Sequence, residues 1–252
     1  MSAHFEPITG RYMHLDLFGK HHRIYVEEAG EGTPLLCLHT AGSDGRQYRG
    51  LMNDERVTQR HRVIAFDMPW HGKSSPPAGW HDEEYQLTSA RYTTMILEIM
   101  TALELDRPIV IGCSIGGRIA LHLALEHPEA FRAIIGLQAG AHVDPYYDLN
   151  FLHRPDVHGG EVSAAIVSGL VGPDAPVAER WETLWHYMQG GPGVFKGTCI
   201  STSSTATFGA ASRRSIRAAA RCSCCRANTT IPARRRKPSP WPTALRAARS
   251  PS

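Results

Sequence analysis

The 252-residue chain predicts an α/β fold, a mainly parallel sheet flanked by helices and carrying a helical cap insertion, on three observations. Unbroken apolar runs ending on polar residues at 33–39 and 62–68 read as parallel strands buried on both faces, with a further buried strand at 108–114 and another strand at 131–139. Segments of helical period separate these runs. A Gly-x-Ser-x-Gly string at 112–116 falls where one run gives way to a helix.

In order along the chain, Tyr12 to Phe18 and Arg23 to Glu28 alternate apolar and polar residues, the pattern of antiparallel strands with one wet face. The runs at 33–39 and 62–68 are the next strands. Between Leu87 and Leu105, the residues Tyr92, Met95, Ile96, Ile99, Met100 and Leu103 recur at three- and four-residue steps and define one helix face. A buried strand at 108–114, a helix after Gly117 and a further strand at 131–139 follow. From His142 to Gly197 aromatic-rich helical segments alternate with loops, and Trp181, Leu184, Trp185 and Met188 share one helical face. Such a segment fits a cap over the C-terminal edge of the sheet, its apolar face lining a pocket. The expected domains are a core at 1–141, a cap at 142–197 and an Arg/Ser/Cys-rich tail at 198–252.

Charge is unevenly distributed along the chain. The tail holds eleven basic residues and no acidic ones, so the remaining 16 basic residues face all 24 acidic ones and the body carries about −8. An acidic body gives no reason to expect nucleic acid as a partner. The N-terminus lacks the apolar core of a signal peptide, and no stretch reaches the roughly 18 apolar residues of a membrane span, so a cytoplasmic protein with no membrane association is expected. Cys37 and Cys113 sit in strand-like runs, while Cys199, Cys222, Cys224 and Cys225 lie in the tail. That spacing fits neither a tetrahedral zinc site nor a disulfide framework, and no metal or organic cofactor is implied.

The chemistry centres on Ser114. A serine on a tight strand-to-helix turn needs small neighbours, here Gly112 and Gly116, and the following helix N-terminus favours developing negative charge. The loop from Leu35 to Leu51 carries Gly42 and Gly45 and would bring backbone amides near that serine. These residues, with the turn from Phe66 to Ser74, resemble the α/β-hydrolase family over roughly residues 20–197. The resemblance implies an α/β-hydrolase fold with Ser114 as nucleophile. It implies the backbone amides of Ala41 and Ile115 as oxyanion donors. Substrate contacts are expected from His39, Thr40 and Trp185. Two departures stand out: Thr40 follows His39 where the family has Gly, and Trp70 replaces the first Gly of its D-x-P-G-x-G-x-S turn. Asp67 and His71 in that turn are expected to be structural, as are His122 and His127.

In the family a carboxylate and a histidine follow the cap and complete the triad. Here no histidine, aspartate or glutamate follows His186. Residues 198–252 read like a GC-rich coding strand taken out of frame: "ARCSCCR" admits "CPVFMLSG" in the neighbouring frame, and "RANTTIPARRRK" admits "GEYDYSCTPEE". A frameshift near Gly197 would therefore have scrambled or removed the C-terminal part of the fold, and resequencing the coding DNA tests it. A basic disordered tail that binds an acidic partner is the alternative. Asp144 or Asp148 with His142, His153, His158 or His186 could stand in for the triad. The expected function is hydrolysis of an ester, lactone or related acyl bond in a small hydrophobic substrate, impaired in this chain; a catalytically inactive ligand-binding member is the alternative.

Overall fold

The computed structural model describes residues 3–140 and 159–204. Six strands form one sheet: β1 (Thr9–Leu17), β2 (Lys20–Ala29), β3 (Thr33–Leu38), β4 (His61–Phe66), β5 (Ile109–Cys113) and β6 (Ala133–Leu137). Their spatial order is β1-β2-β4-β3-β5-β6. The first two strands form a hairpin whose loop residues, Phe18 and Gly19, both have positive φ (57° and 74°), the turn that matches strand twist. β2 meets β4 antiparallel, and the β4, β3, β5 and β6 contacts are parallel.

The central strands are apolar on both faces because both are covered. Leu36, Leu38, Ile64 and Phe66 enter one core with α3 (Ser89–Ala102) and α4 (Ile115–Glu126). Leu35, Cys37, Val63 and Ala65 enter a second core on the opposite face, closed by Tyr48 and by Met52 of α1 (Arg49–Met52). The short α2 (Glu55–Thr58) follows, started by Asp54, whose carboxylate accepts from Arg56 N–H. Tyr92, Met95, Ile96, Ile99 and Met100 are the buried stripe of α3, as their spacing requires, and Thr88 caps its N-terminus. Leu103 is partly buried at the end of that helix.

Beyond the sheet, α5 (Gly159–Ser168) packs on α6 (Val177–Met188), and α7 (Val194–Ser204) follows. Ala164, Val167 and Tyr187 form a small third core there. At residue 198, α7 continues to Ser204, Thr198 is 0% exposed and Cys199 packs against the main core. Gly197 explains the close fit, since a Cβ there would lie 1.9 Å from Tyr85 O. The cap residues 142–158, with Asp144, Asp148, His142, His153 and His158, and the tail from 205 onward lie outside the described residues.

Candidate active site

Ser114 stands between β5 and α4 at φ +54° and ψ −112°, left-handed and strained for a non-glycine residue. The strain is enforced from all sides. A Cβ on Gly112 would lie 2.2 Å from Gly116 O, one on Gly116 2.3 Å from Leu38 O, and one on Gly117 2.6 Å from Leu137 O. Ser114 N–H donates to Leu137 O at 2.9 Å, and Ser114 O accepts from Arg118 N–H at 2.8 Å. The backbone is thus pinned while the side chain makes no capping bond to α4, leaving Oγ free on the open side.

The neighbouring turn leaves β3, which pairs with β5 so that Leu38 lies opposite Gly112. Adjacent parallel strands therefore deliver residues 39–41 and 113–115 to one spot at the C-terminal sheet edge, where α/β sheets bind ligands. Among the described residues the amides of Ala41 and Ile115 have no protein acceptor, as oxyanion donors require.

His39 was expected to contact substrate, and the structure places it differently. Met68 N–H donates to its Nε2 at 3.0 Å, so the proton sits on Nδ1 and donates to Thr40 O at 2.8 Å. Both ring nitrogens are held by backbone, and burial lowers the pKa, so this neutral ring orients the loop from beneath. Thr40 does reach the open side: its Oγ1 lies 2.5 Å from Tyr187 Oη of α6.

A cavity of about 380 Å³ opens over Ser114. Thr40, Gln47, Cys113 and Gln138 line its sheet side, and Val167, Leu170, Val171, Thr183, His186 and Tyr187 its cap side. Trp185 is absent from that lining and is 64% exposed, with Trp181 67% exposed beside it. Trp181, Trp185 and Met188 of α6 thus point outward, while Leu184 and Tyr187 pack inward on the cluster that holds Ala164, Val167 and Phe195, and His186 is buried at the cavity. Desolvation holds the His186 pKa below its ordinary value, with the nearby Arg46 charge adding to the effect. Hydropathy alone favoured the tryptophan face; only the Thr40–Tyr187 hydroxyl pair reveals the other.

The turn after β4 forms the floor. Asp67 accepts Gly45 N–H at 2.8 Å and Lys73 N–H at 2.7 Å, while burial, followed by the Asp44 charge, raises its pKa to about 6. His71 bonds Pro69 O through Nδ1 at 3.0 Å and Thr198 Oγ1 through Nε2 at 3.1 Å, and burial lowers it to about 3. Trp70 holds φ +73°, the conformation that glycine usually fills, and meets Trp80 edge to face and Tyr85 at a tilt. His122 contacts Glu126 at 3.5 Å on α4, and His127 caps that helix. Among the described residues no group of three or more His, Cys, Asp or Glu is placed to hold a metal ion, and no helix is long and apolar enough to cross a membrane.

A sequence profile described as the alpha/beta hydrolase fold matches residues 33–158, which contain both turns. The chain belongs to the α/β-hydrolase fold family. It is 32% identical over 181 residues to a 2-hydroxymuconate semialdehyde hydrolase of Pseudomonas putida, covering 72% of this chain and 50% of that protein. It is also 32% identical over 140 residues to a 2-hydroxy-6-oxo-6-phenylhexa-2,4-dienoate hydrolase of Burkholderia cepacia, covering 54% of this chain and 46% of that one. Among solved structures, the enol-lactonase of Burkholderia xenovorans LB400 shares the fold at a TM-score of 0.64 and 15% identity, covering 77% and 74% of the two chains. The chain spans about half the length of the curated relatives it matches.

Proposed function

We propose that this α/β-hydrolase-fold protein is a serine hydrolase that cleaves an ester, lactone or related acyl bond of a small, largely hydrophobic substrate. The observation that carries this is Ser114, held left-handed on the strand-to-helix turn with a free hydroxyl facing the cavity. Its Oγ would bond to the acyl carbon and pass its proton to a base, while the amides of Ala41 and Ile115 receive the negative oxygen. Collapse expels the leaving group, which takes up the proton. Water then repeats the sequence and restores Ser114. The apolar wall formed by Val167 of α5 with Leu170, Val171 and Ala175 of the following connection supports a hydrophobic substrate. The relatives named above act on related carbonyl compounds by their names, which supports the class.

Within the described cavity the available proton acceptor is His186, kept neutral by desolvation. No carboxylate bonds to it among the described residues, and no acid or histidine follows it in the chain. With Ser114 and His186 acting alone, turnover would lie several orders of magnitude below that of a complete Ser-His-acid triad, with oxyanion and binding effects remaining. The thiols of Cys37 and Cys113 fit a reducing, cytoplasmic compartment. Incubation with p-nitrophenyl butanoate should leave a butanoyl adduct on the peptide bearing Ser114, read by mass spectrometry, and none in Ser114→Ala. Turnover that persists unchanged in Ser114→Ala would overturn the proposal.

A further inference from the structure

Beside the nucleophile a set of hydrogen bonds leaves one outward donor. Thr40 N–H donates to Gln47 Oε1 at 3.0 Å, and because a backbone N–H can only donate, this settles which end of the Gln47 amide is oxygen. Gln47 and Cys113 line the same cavity. Cys113 Sγ–H donates to Gln138 Oε1 at 3.3 Å, and burial, which pushes this thiol up, keeps the S–H in place. What remains is Gln138 Nε2, with no acceptor among the described residues. Gln138 also stands at φ +49°, a conformation that a non-glycine residue keeps only where its surroundings over-determine it. It directly follows β6, whose last carbonyl, Leu137 O, accepts from Ser114 N–H. The amide therefore sits next to the nucleophile and lines the same cavity. Among the described residues no Asp, Glu, Lys or Arg lines that cavity, so it selects by neutral hydrogen bonds.

We propose that Gln138 is a specificity-determining residue whose amide nitrogen selects acyl compounds carrying a second oxygen acceptor, a keto oxygen on the acyl chain close to the scissile carbonyl. This rests on the serine-hydrolase function only for the position of the scissile carbonyl. Cys113 is a positioning residue that fixes which way the amide faces.

The test uses methyl 4-oxopentanoate and its isostere methyl 4-methylpentanoate, titrated by ligand-observed NMR into the full-length Ser114→Ala protein so that turnover does not intervene. The oxo ester should bind about tenfold tighter, the value of one good hydrogen bond. Adding Gln138→Leu should bring the ratio to about one while leaving the affinity for methyl 4-methylpentanoate unchanged. Gln138→Gly, which relieves the left-handed backbone while removing the amide, should do the same and covers a failure of the leucine variant to fold. Cys113→Ala, which frees the amide to rotate, should lower the ratio to about threefold. Equal affinity for the two esters, binding of neither, or a ratio unaffected by loss of the Gln138 amide overturns the proposal. The acyl adduct on Ser114 is read separately in the unsubstituted protein. Its absence with the tenfold ratio intact would sink the hydrolase function and leave the oxygen-selective pocket standing.

Discussion

Around Ser114 no turn residue can grow by even a methyl group, because Gly112, Gly116 and Gly117 each lie against backbone carbonyls. Across the same cavity α6 is steered by one hydroxyl contact, Thr40 Oγ1 to Tyr187 Oη, and by a small apolar cluster of Ala164, Val167 and Tyr187. One wall is set by backbone and the other by side chains. The comparison teaches that substitutions on the two walls should differ in size: those at the elbow glycines strain the fold, those on α6 cost little stability.

The largest effect expected is for Gly116→Ala. Its Cβ would lie 2.3 Å from Leu38 O, in the rung joining the two site-bearing strands, and the overpacking should destabilise by roughly 3 kcal/mol in chemical denaturation. Near-neutral behaviour would break the contrast at its strongest point.

A second test sharpens it through pH, because the floor beneath the elbow carries buried titrating groups. His71 falls from 6.5 to about 3 on folding, so its contribution is present above 6.5 and is lost as pH falls toward 3. Asp67 rises from 3.8 to about 6, so its contribution is present below 3.8 and is lost as pH rises through 6. The histidine shift is the larger, and the lowered His39 and His186 act in the same direction. Tm should therefore rise from pH 4 to 7, with a shallower rise in His71→Gln. A maximum near pH 4 would mean that Asp67 dominates.

Smaller effects belong to the cap. Tyr187→Phe removes the hydroxyl that meets Thr40 and should cost about 1 kcal/mol, with the secondary structure unchanged by circular dichroism. Trp185→Ala should change stability by no more than about 0.5 kcal/mol and leave ligand affinity in place, since that side chain is exposed. A large loss of affinity in Trp185→Ala would return the tryptophan to the pocket.

What the sequence revealed followed the same division. The strands announced themselves because two covered faces demand unbroken apolar runs, and the α3 stripe because five core positions keep helical spacing. Ser114 was visible because its turn needs glycines at fixed offsets. A histidine ring held by two backbone groups, as His39 is, and a tryptophan on an outer helix face, as Trp185 is, look identical in sequence to ligand-facing ones. Gln47, Gln138 and Tyr187 escaped notice because a single polar residue has no period. For Gln138 a signal did exist, its position just beyond the C-terminal end of β6, where open α/β sheets gather ligands. The boundary at 198 was drawn on composition, to which the fit of Thr198 against His71 is invisible.

The pairing of Leu38 with Gly112 has a consequence for how such a molecule can diverge. Each strand acts as a ruler with a step of about 3.3 Å, and one residue gained or lost also sends the next side chain to the opposite face. Insertions in β3 or β5 would part the Ala41 amide from Ser114. The connection between α5 and α6, residues 169–176, obeys no such ladder and borders the cavity through Leu170, Val171, Gly172 and Ala175. Length change there resizes the apolar wall and leaves the nucleophile where it was. Descendants of this chain can thus drift in appetite while inheriting one immovable tooth.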